Sequence, residues 1–244
     1  MGKVSFITGG SRGIGEATAR ALAAQGYSVA ICGASHLDRA QALAKELLQN
    51  GNNAMAVQAD VRSRQSVQTA FEAVKARMGA VDTLICCAGI AQQKLFQDIT
   101  PDDWDTMFDV NVKGVYHCIQ TALPDMLSRG NGCIVTLSSM WGQVGASCES
   151  HYAASKAALI ALTQSLAKEL GPSHIRVNCV SPGVILTDMV LPLGVDALAS
   201  LAEETPLQCN GLPSDVAHAI SWLCSDNAAF ITGQVIGVNG GYIV

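Results

Sequence analysis

The chain has 244 residues, of which 49% are hydrophobic and 14% charged, and its net charge is −5 at pH 7. This negative balance gives no basic footprint for nucleic acid or an anionic membrane. No apolar run reaches the roughly 18–20 residues that a membrane span needs. The sequence enters a strand-like run at once, without a secretory or transit pattern. We therefore expect a soluble, cytoplasmic protein that is large enough to bury the core of an α/β domain.

Short apolar or β-branched runs alternate with segments of helical periodicity along the chain. Strands are predicted at 4–8, 28–32, 54–58, 83–87, 132–138, 176–181 and 234–238, and helices at 13–25, 38–50, 66–78, 104–128, 152–170 and 214–225. Such regular alternation is typical of a parallel sheet covered by helices on both faces.

Residues 183–213 are the irregular part of the chain, with three prolines at positions 192, 206 and 213. We predict a loop there with a short helix near 196–203, and a mobile substrate lid at about 187–212. No low-complexity linker interrupts the pattern, so residues 1–244 are predicted to form a single domain.

The nine cysteines and five histidines are scattered along the sequence. They form no C-x-x-C pair and no cluster with zinc-ligand spacing. Most of the cysteines lie in apolar runs, where a thiol acts as a small buried hydrophobe in a reducing compartment. No metal site is predicted.

The first predicted strand runs into the glycine-rich stretch TGGSRGIGEA, residues 8–17. Gly9, Gly13 and Gly15 fall between a strand and an amphipathic helix, where small residues let the backbone approach a pyrophosphate at the helix N-terminus. The spacing T-G-x-x-x-G-x-G differs from the G-x-G-x-x-G of other dinucleotide folds. A simple tight turn is the alternative, but the position at the first strand–helix junction favours dinucleotide binding.

Asp60 follows the third predicted strand, in AVQADVRS. Its carboxylate could accept a hydrogen bond from an adenine amino group, with the Val61 amide beside it. The alternative is an N-cap of the next helix, a position that Asp favours. For this residue alone the cap is the stronger interpretation.

A second group of motifs carries candidate catalytic residues. ESHYAASKAAL places Tyr152 and Lys156 four residues apart, so that both side chains share one helix face. Ser139 ends the strand-like run IVTLSS, and Asn111 lies in the helical stretch FDVNVKG. Together with VNCVSPGVILTDM and ITGQVIGVNGGY, these motifs resemble the classical type of the short-chain dehydrogenase/reductase family over essentially the whole chain.

The resemblance implies a single doubly wound Rossmann-type domain with a seven-stranded parallel sheet, and an enzyme that reduces a ketone to a secondary alcohol. Tyr152 matches the family's general acid, and Ser139 matches the residue that polarises the carbonyl oxygen. Lys156 matches the group that binds the nicotinamide ribose and supports the phenolate. Asn111 matches the residue whose backbone holds a water linking Lys156 to solvent. A catalytically silent dinucleotide-binding regulator is the non-enzyme alternative, which the complete set of four disfavours.

For the Tyr152 phenol to give up its proton near neutral pH, its pKa has to be lowered. A free phenol has a pKa near ~10, and burial raises it, so a nearby cation has to dominate if the proton is to become available. Lys156 and an oxidised nicotinamide ring are suitable cations, and we therefore expect a depressed pKa for Tyr152.

The cofactor is predicted to be NADPH, with NADH possible. Enzymes that prefer NAD usually carry an acid at the end of the second strand, whereas here the stretch ICGASH has no acid before Asp38. Arg12 and Ser35 could instead contact a 2′-phosphate, since a guanidinium suits phosphate geometry; for Arg12 a solvated surface charge is the alternative. The resemblance implies further cofactor contacts at Ser11, Ile14, Val61, Ala88, Gly89, Pro182, Gly183, Ile185 and Thr187.

One departure from the family pattern lies in the fourth strand, where Cys86-Cys87-Ala88-Gly89 replaces the usual N-N-A-G. Ala88 and Gly89 still permit close approach to the adenosine ribose. We expect altered packing without loss of activity, and we favour a plain core role for the two cysteines over a redox switch.

The substrate is less well defined. The chain is most similar to bacterial 3-oxoacyl-acyl-carrier-protein reductases, which implies a carrier-bound acyl substrate, fatty acid biosynthesis and a homotetramer. The stretch WGQVGASCE also resembles reductases that finish the 5-aminopentanoyl modification of elongation factor P. Ser139, Trp141, Glu149 and Tyr152 are the predicted substrate contacts. A carboxylate at Glu149 would favour an amine-bearing substrate, although a first-turn carboxylate stabilised by the helix macrodipole is the somewhat stronger interpretation.

Overall fold

The computed structural model of the protein describes residues 2–243 and contains one seven-stranded parallel sheet, in the order β3-β2-β1-β4-β5-β6-β7. The strands are β1 Val4–Thr8, β2 Ser28–Gly33, β3 Ala54–Gln58, β4 Thr83–Cys86, β5 Gly132–Leu137, β6 Ile175–Pro182 and β7 Val235–Val238. Two of the seven predicted strands, the first and the third, match the structure fully, and the other five differ from it by one residue at one or both ends. The predicted fold class is confirmed.

Helices cover both faces of this sheet. They are α1 Gly13–Ala24, α2 Leu37–Gln49, α3 Arg64–Met78, α4 Pro101–Phe108, α5 Gly114–Arg129, α6 Trp141–Val144, α7 Ser150–Leu170, α8 Val195–Glu204 and α9 Pro213–Cys224. None of the helices within residues 2–243 combines the length and apolarity needed to cross a membrane.

The strands are apolar on both sides because each side packs against a separate helical layer. Phe6 and Leu84 face one cluster, to which α3, α5 and α7 contribute, and the Phe6 ring stacks on Phe71 with centroids 4.1 Å apart. Their strand neighbours Ile7 and Ile85 face the opposite cluster, formed with α1, α2 and α9. This alternation decides which helical layer each strand residue contacts.

The predicted helix 104–128 is longer and interrupted in the structure. It begins at Pro101, because Thr100 and Asp103 form a capping box at its start. Between α4 and α5 the backbone makes a π-helical segment, Asp109–Lys113. Such π-bulges widen one turn of a helix and are frequent at functional sites. Asn111 lies in the middle of this widened turn.

Two further differences concern the segments around the predicted catalytic helix. That helix begins at Ser150 rather than at residue 152, so that Tyr152 lies within its first turn. The four-residue helix α6 precedes it and was not predicted, because a single turn is too short to show periodicity. The short helix predicted at 196–203 is present as α8.

Candidate active site

A cavity of about 1220 Å³ opens at the carboxyl ends of the strands. Its floor lies where the strand order reverses, because β1 has β2 on one side and β4 on the other. Ligands of open α/β sheets bind at such a switch point. All but one of the predicted site residues line this cavity: Gly9, Ser11, Arg12, Gly13, Ile14, Gly15, Ser35, Asp60, Val61, Ala88, Gly89, Ser139, Trp141, Glu149, Tyr152, Lys156, Pro182, Gly183, Ile185 and Thr187. The exception is Asn111.

The glycine-rich turn has no room for larger residues. Gly9 has a φ of +62°, and a Cβ there would lie 2.9 Å from the backbone of Ala88. A Cβ on Gly15 would collide with the carbonyl of Gly9. The chain therefore needs glycine at both positions to bring β1, α1 and the end of β4 together. The resulting cradle suits a dinucleotide, whose phosphates can approach the bare backbone.

Three charged residues meet at one end of the cavity. Arg12 precedes α1, and its Nη1 lies 3.5 Å from Oδ2 of Asp188. Arg39, in the first turn of α2, places its own Nη1 3.3 Å from the same oxygen. About half of the Arg12 side chain is exposed, so the alternative of a solvated surface charge describes it only in part.

Asp60 does not cap the helix that follows it. Ser63 is the N-cap of α3, and its side chain accepts a hydrogen bond from the Ser66 amide. The Asp60 carboxylate instead accepts hydrogen bonds from Arg62, whose guanidinium lies 2.7–3.1 Å from it and lowers the pKa of the carboxyl group. The interpretation of Asp60 as the N-cap of the next helix is therefore wrong, because Ser63 is the residue that caps α3.

The predicted catalytic side chains converge at the opposite end. Ser139 follows β5, and its Oγ accepts a hydrogen bond from the Trp141 amide at 3.2 Å, which leaves its own proton free to donate. The Lys156 ammonium lies 5.7 Å from the centroid of the Tyr152 ring and donates to the Leu137 carbonyl at 2.8 Å. A carbonyl oxygen that enters here can meet two hydroxyl donors, Ser139 and Tyr152.

Burial governs the titration of these groups. Desolvation raises the pKa of Tyr152 to about 12, against a smaller opposite effect of the Ser139 hydroxyl. Desolvation also lowers the pKa of Lys156 to about 8. The expected depression of the Tyr152 pKa is not produced by the chain's own residues, since the loss of hydration outweighs the hydrogen bond with Ser139 and the Glu149 carboxylate adds to the rise. Tyr152 is consequently protonated at pH 7 and able to donate its proton.

Asn111 is fully buried beside the cavity and joins three segments. Its Oδ1 accepts from the Ile90 amide at 2.9 Å, while Nδ2 donates to the Ile90 carbonyl and to Ser155 Oγ, each at 3.0 Å. Ser155 Oγ in turn donates to the Tyr152 carbonyl at 2.7 Å. A Cβ on Gly89 would lie 3.2 Å from Asn111 Oδ1 and 3.3 Å from Lys156 Nζ. Asn111 thus positions the loop after β4 against the catalytic helix.

The wall beyond Ser139 contains the other predicted substrate residues. The Trp141 ring packs edge-on against Tyr242, with centroids 5.7 Å apart. Glu149 is the N-cap residue of α7 and lies outside its first turn, and its side chain makes no capping hydrogen bond. Its Oε1 accepts instead from Gln93 Nε2 at 3.1 Å, and burial raises the pKa of the carboxyl group. The interpretation as a first-turn carboxylate is therefore not supported by the geometry.

The two adjacent cysteines of β4 differ in their surroundings. Cys86 is buried in the core, and Cys87 is partly buried and lines the cavity. Burial raises the pKa of both thiols, which makes them poor nucleophiles. Within residues 2–243 no three His, Cys, Asp or Glu side chains are placed to hold a metal ion.

Sequence reasoning missed Arg39, Asp188 and Gln93. Arg39 and Asp188 are 149 residues apart along the chain, and nothing in the local pattern at either position links them. Gln93 follows the loop after β4 and contacts Glu149 across 56 residues. Lys156, Ser139 and Tyr152 were predicted because they belong to motifs. The contacts of Arg39, Asp188 and Gln93 exist only in the folded chain.

Comparisons with known proteins agree with this geometry. A family model described as enoyl-(acyl carrier protein) reductase matches residues 9–243. The chain is 39% identical over 241 residues to the 3-oxoacyl-[acyl-carrier-protein] reductase FabG of Staphylococcus epidermidis, with 99% of each protein covered. It is 41% identical to the FabG of Aquifex aeolicus, over 99% of this chain and 97% of that protein.

Two solved structures are also similar. The crystal structure of 3-oxoacyl-[acyl-carrier protein] reductase from Brucella melitensis has a TM-score of 0.94 at 34% identity, and covers 99% of this chain and 92% of that one. A blue fluorescent protein from a metagenomic library, in complex with NADPH, has a TM-score of 0.94 at 36% identity, with 100% and 98% coverage.

Fold and site together define an NAD(P)-dependent oxidoreductase that acts on CH–OH groups and takes a nicotinamide dinucleotide as its cofactor. The chain belongs to the short-chain dehydrogenase/reductase family, as its motifs predicted.

Proposed function

We propose that this chain is an NADPH-dependent 3-oxoacyl-acyl-carrier-protein reductase, with Asn111, Ser139, Tyr152 and Lys156 as its functional set. The observation that carries the proposal is the meeting of Tyr152, Ser139 and Lys156 in one cavity with the glycine-rich turn. Relatives named as such reductases match the chain over nearly its full length.

The chain's residues have separate tasks in this reaction. A bound reduced nicotinamide supplies the hydride to the carbonyl carbon. Tyr152, a neutral phenol with a raised pKa, donates the proton to the carbonyl oxygen. Ser139 donates a second hydrogen bond to that oxygen, because its Oγ accepts from the Trp141 amide and its own proton stays free for this bond. Lys156 holds the ribose hydroxyls and stabilises the phenolate that remains.

A preference for NADPH is supported by the residues at the end of the cavity that lies after β2, away from Tyr152. The residues after β2 that line it, Ala34, Ser35 and His36, carry no carboxylate to accept from a ribose 2′-hydroxyl. Arg12 also lines the cavity. A guanidinium with nearby hydroxyl and amide donors favours a phosphate over a hydroxyl.

The direct test is a spectrophotometric assay of cofactor oxidation with acetoacetyl-carrier protein. We expect turnover with NADPH, and a catalytic efficiency at least tenfold lower with NADH because a phosphate–guanidinium contact is lost. Absence of turnover with this and with simple β-ketoesters would support the silent regulator instead. Size measurements in solution test the homotetramer that family membership suggests.

Glu149 supports a second candidate function, the reduction of a ketone that carries an amine, such as aminopentanone-modified lysine of elongation factor P. The carboxylate is half-buried in the cavity wall, and within residues 2–243 its only hydrogen bond is from Gln93. Among the described residues it has no ion-pair partner. A half-buried carboxylate that lacks a cation is suited to a cationic substrate group.

Glu149→Gln separates the two candidates. If the substrate carries an amine, the substitution should raise the KM for an aminopentanone substrate about tenfold through loss of a charge-assisted hydrogen bond, and leave the KM for acetoacetyl thioesters unchanged. Glu72→Gln, on the exposed face of α3, is the matched control. Equal KM values for wild type and Glu149→Gln on the aminopentanone substrate would remove the second candidate.

A further inference from the structure

The two guanidinium groups at the nucleotide end of the cavity share a single carboxylate oxygen. Arg12 precedes α1, Arg39 lies in α2, and Asp188 lies in the segment between β6 and α8. Each of the three side chains is about half exposed, with values of 51%, 52% and 51%. We call these three residues the ionic clamp.

The ionic clamp lies beside the position of the adenosine ribose. Residues 33–36, at the end of β2, line the cavity there, and Arg39 follows in the first turn of α2. The end of the second strand is where dinucleotide folds recognise the ribose 2′ position. Arg12 and Asp188 line the cavity, whereas Arg39 is brought there only through its contact with Asp188. A 2′-phosphate at that position would therefore meet Arg12 in the cavity wall and reach Arg39 where Asp188 now lies.

A phosphate monoester and a carboxylate compete for such a pair. The phosphate carries between one and two negative charges and three acceptor oxygens, so it can engage both guanidinium groups at once. A carboxylate that stays nearby repels it, and one that moves away has to release two ion pairs. In either case the presence of Asp188 opposes phosphate binding.

We infer that Asp188 is a specificity-determining residue, which competes with the 2′-phosphate of the cofactor for Arg12 and Arg39 and so limits the discrimination between NADPH and NADH. This inference rests on the proposed NADPH preference. It adds Arg39 as a second phosphate contact and gives Asp188 an opposing role.

Calorimetric binding of two small probes tests the inference. Adenosine 2′,5′-bisphosphate carries the 2′-phosphate, and adenosine 5′-monophosphate lacks it. Asp188→Asn should lower the Kd for the bisphosphate about threefold to tenfold, as expected for two exposed ion pairs, and leave the Kd for the monophosphate unchanged. The gain should shrink at high salt. Arg39→Gln should weaken only the bisphosphate, and the gain from Asp188→Asn should be smaller in the double variant.

Asp226→Asn is the matched control, because it breaks an exposed ion pair with Lys3 at the other end of the sheet. If wild type and Asp188→Asn both bind the two probes equally, the NADPH preference fails and the clamp fails with it. If wild type prefers the bisphosphate and Asp188→Asn leaves that preference unchanged or reduces it, the competition is overturned while the NADPH preference stands.

Discussion

Tyr152→Phe should lower kcat for ketone reduction by about a thousandfold and leave the Kd for NADPH within about threefold of the wild-type value. In the proposed reaction the phenol is the proton donor, and its raised pKa keeps it protonated throughout the neutral range. The ring itself is retained in phenylalanine, so the packing of α7 against the cavity is preserved. Stopped-flow reduction and fluorescence titration of NADPH measure the two quantities separately.

Tyr27→Phe is the control for removal of a buried hydroxyl. That hydroxyl donates to the Cys224 carbonyl at 2.8 Å and lies outside the cavity. This variant should lose stability and keep its specific activity. A Tyr152→Phe enzyme that reduces ketones at a near-normal rate would show that another group gives the proton.

The free energy of unfolding should fall steeply as the pH rises above 9. Burial raises the pKa of the Cys32 thiol from 9.0 to about 12, and it also raises those of Cys86 and Cys118. A thiol of this kind stabilises the fold fully below its unfolded pKa, and this contribution is lost as the pH rises towards the folded pKa. The loss is about 1.4 kcal/mol per pH unit for each thiol. Lys156 acts in the opposite direction, since its pKa is lowered from 10.5 to about 8, and it offsets one thiol.

Urea unfolding under reducing conditions at pH 8 and pH 10 measures this effect. Cys32→Ala should be less stable than wild type at pH 8, yet it should lose about 1.4 kcal/mol less than wild type between the two pH values. Cys148→Ser is the control, because the Cys148 side chain is exposed. An identical pH dependence for wild type and Cys32→Ala would contradict the assignment.

Much of this architecture could be predicted because its signals are local. Strand-forming runs and the turn around Gly9 and Gly15 are written in consecutive residues, and the spacing of Tyr152 and Lys156 follows from helical geometry. The sign of the Tyr152 pKa shift could not be predicted in this way. It depends on how much water the whole fold removes from one hydroxyl, against the hydrogen bond that Ser139 makes with it.

Contacts between distant segments were equally hidden. The partner of Glu149 is the side-chain amide of Gln93, from another loop. Asp60 does not have the capping role considered for it, because Ser63 caps α3. The ionic clamp joins the connections β1–β2, β2–β3 and β6–β7. No local sequence pattern predicts that these three connections come into contact. Such pairings are properties of tertiary structure, which periodicity does not encode.

The buried amide of Asn111 has a consequence for the modularity of the chain. Its bonds to Ile90 and Ser155 tie the nucleotide-binding half of the sequence directly to the half that bears the reacting phenol. Neither half can therefore be exchanged with that of a relative as an independent cassette unless this amide and both of its partners are kept. The segment that ends β4 and the helix that carries Tyr152 therefore depend on each other structurally.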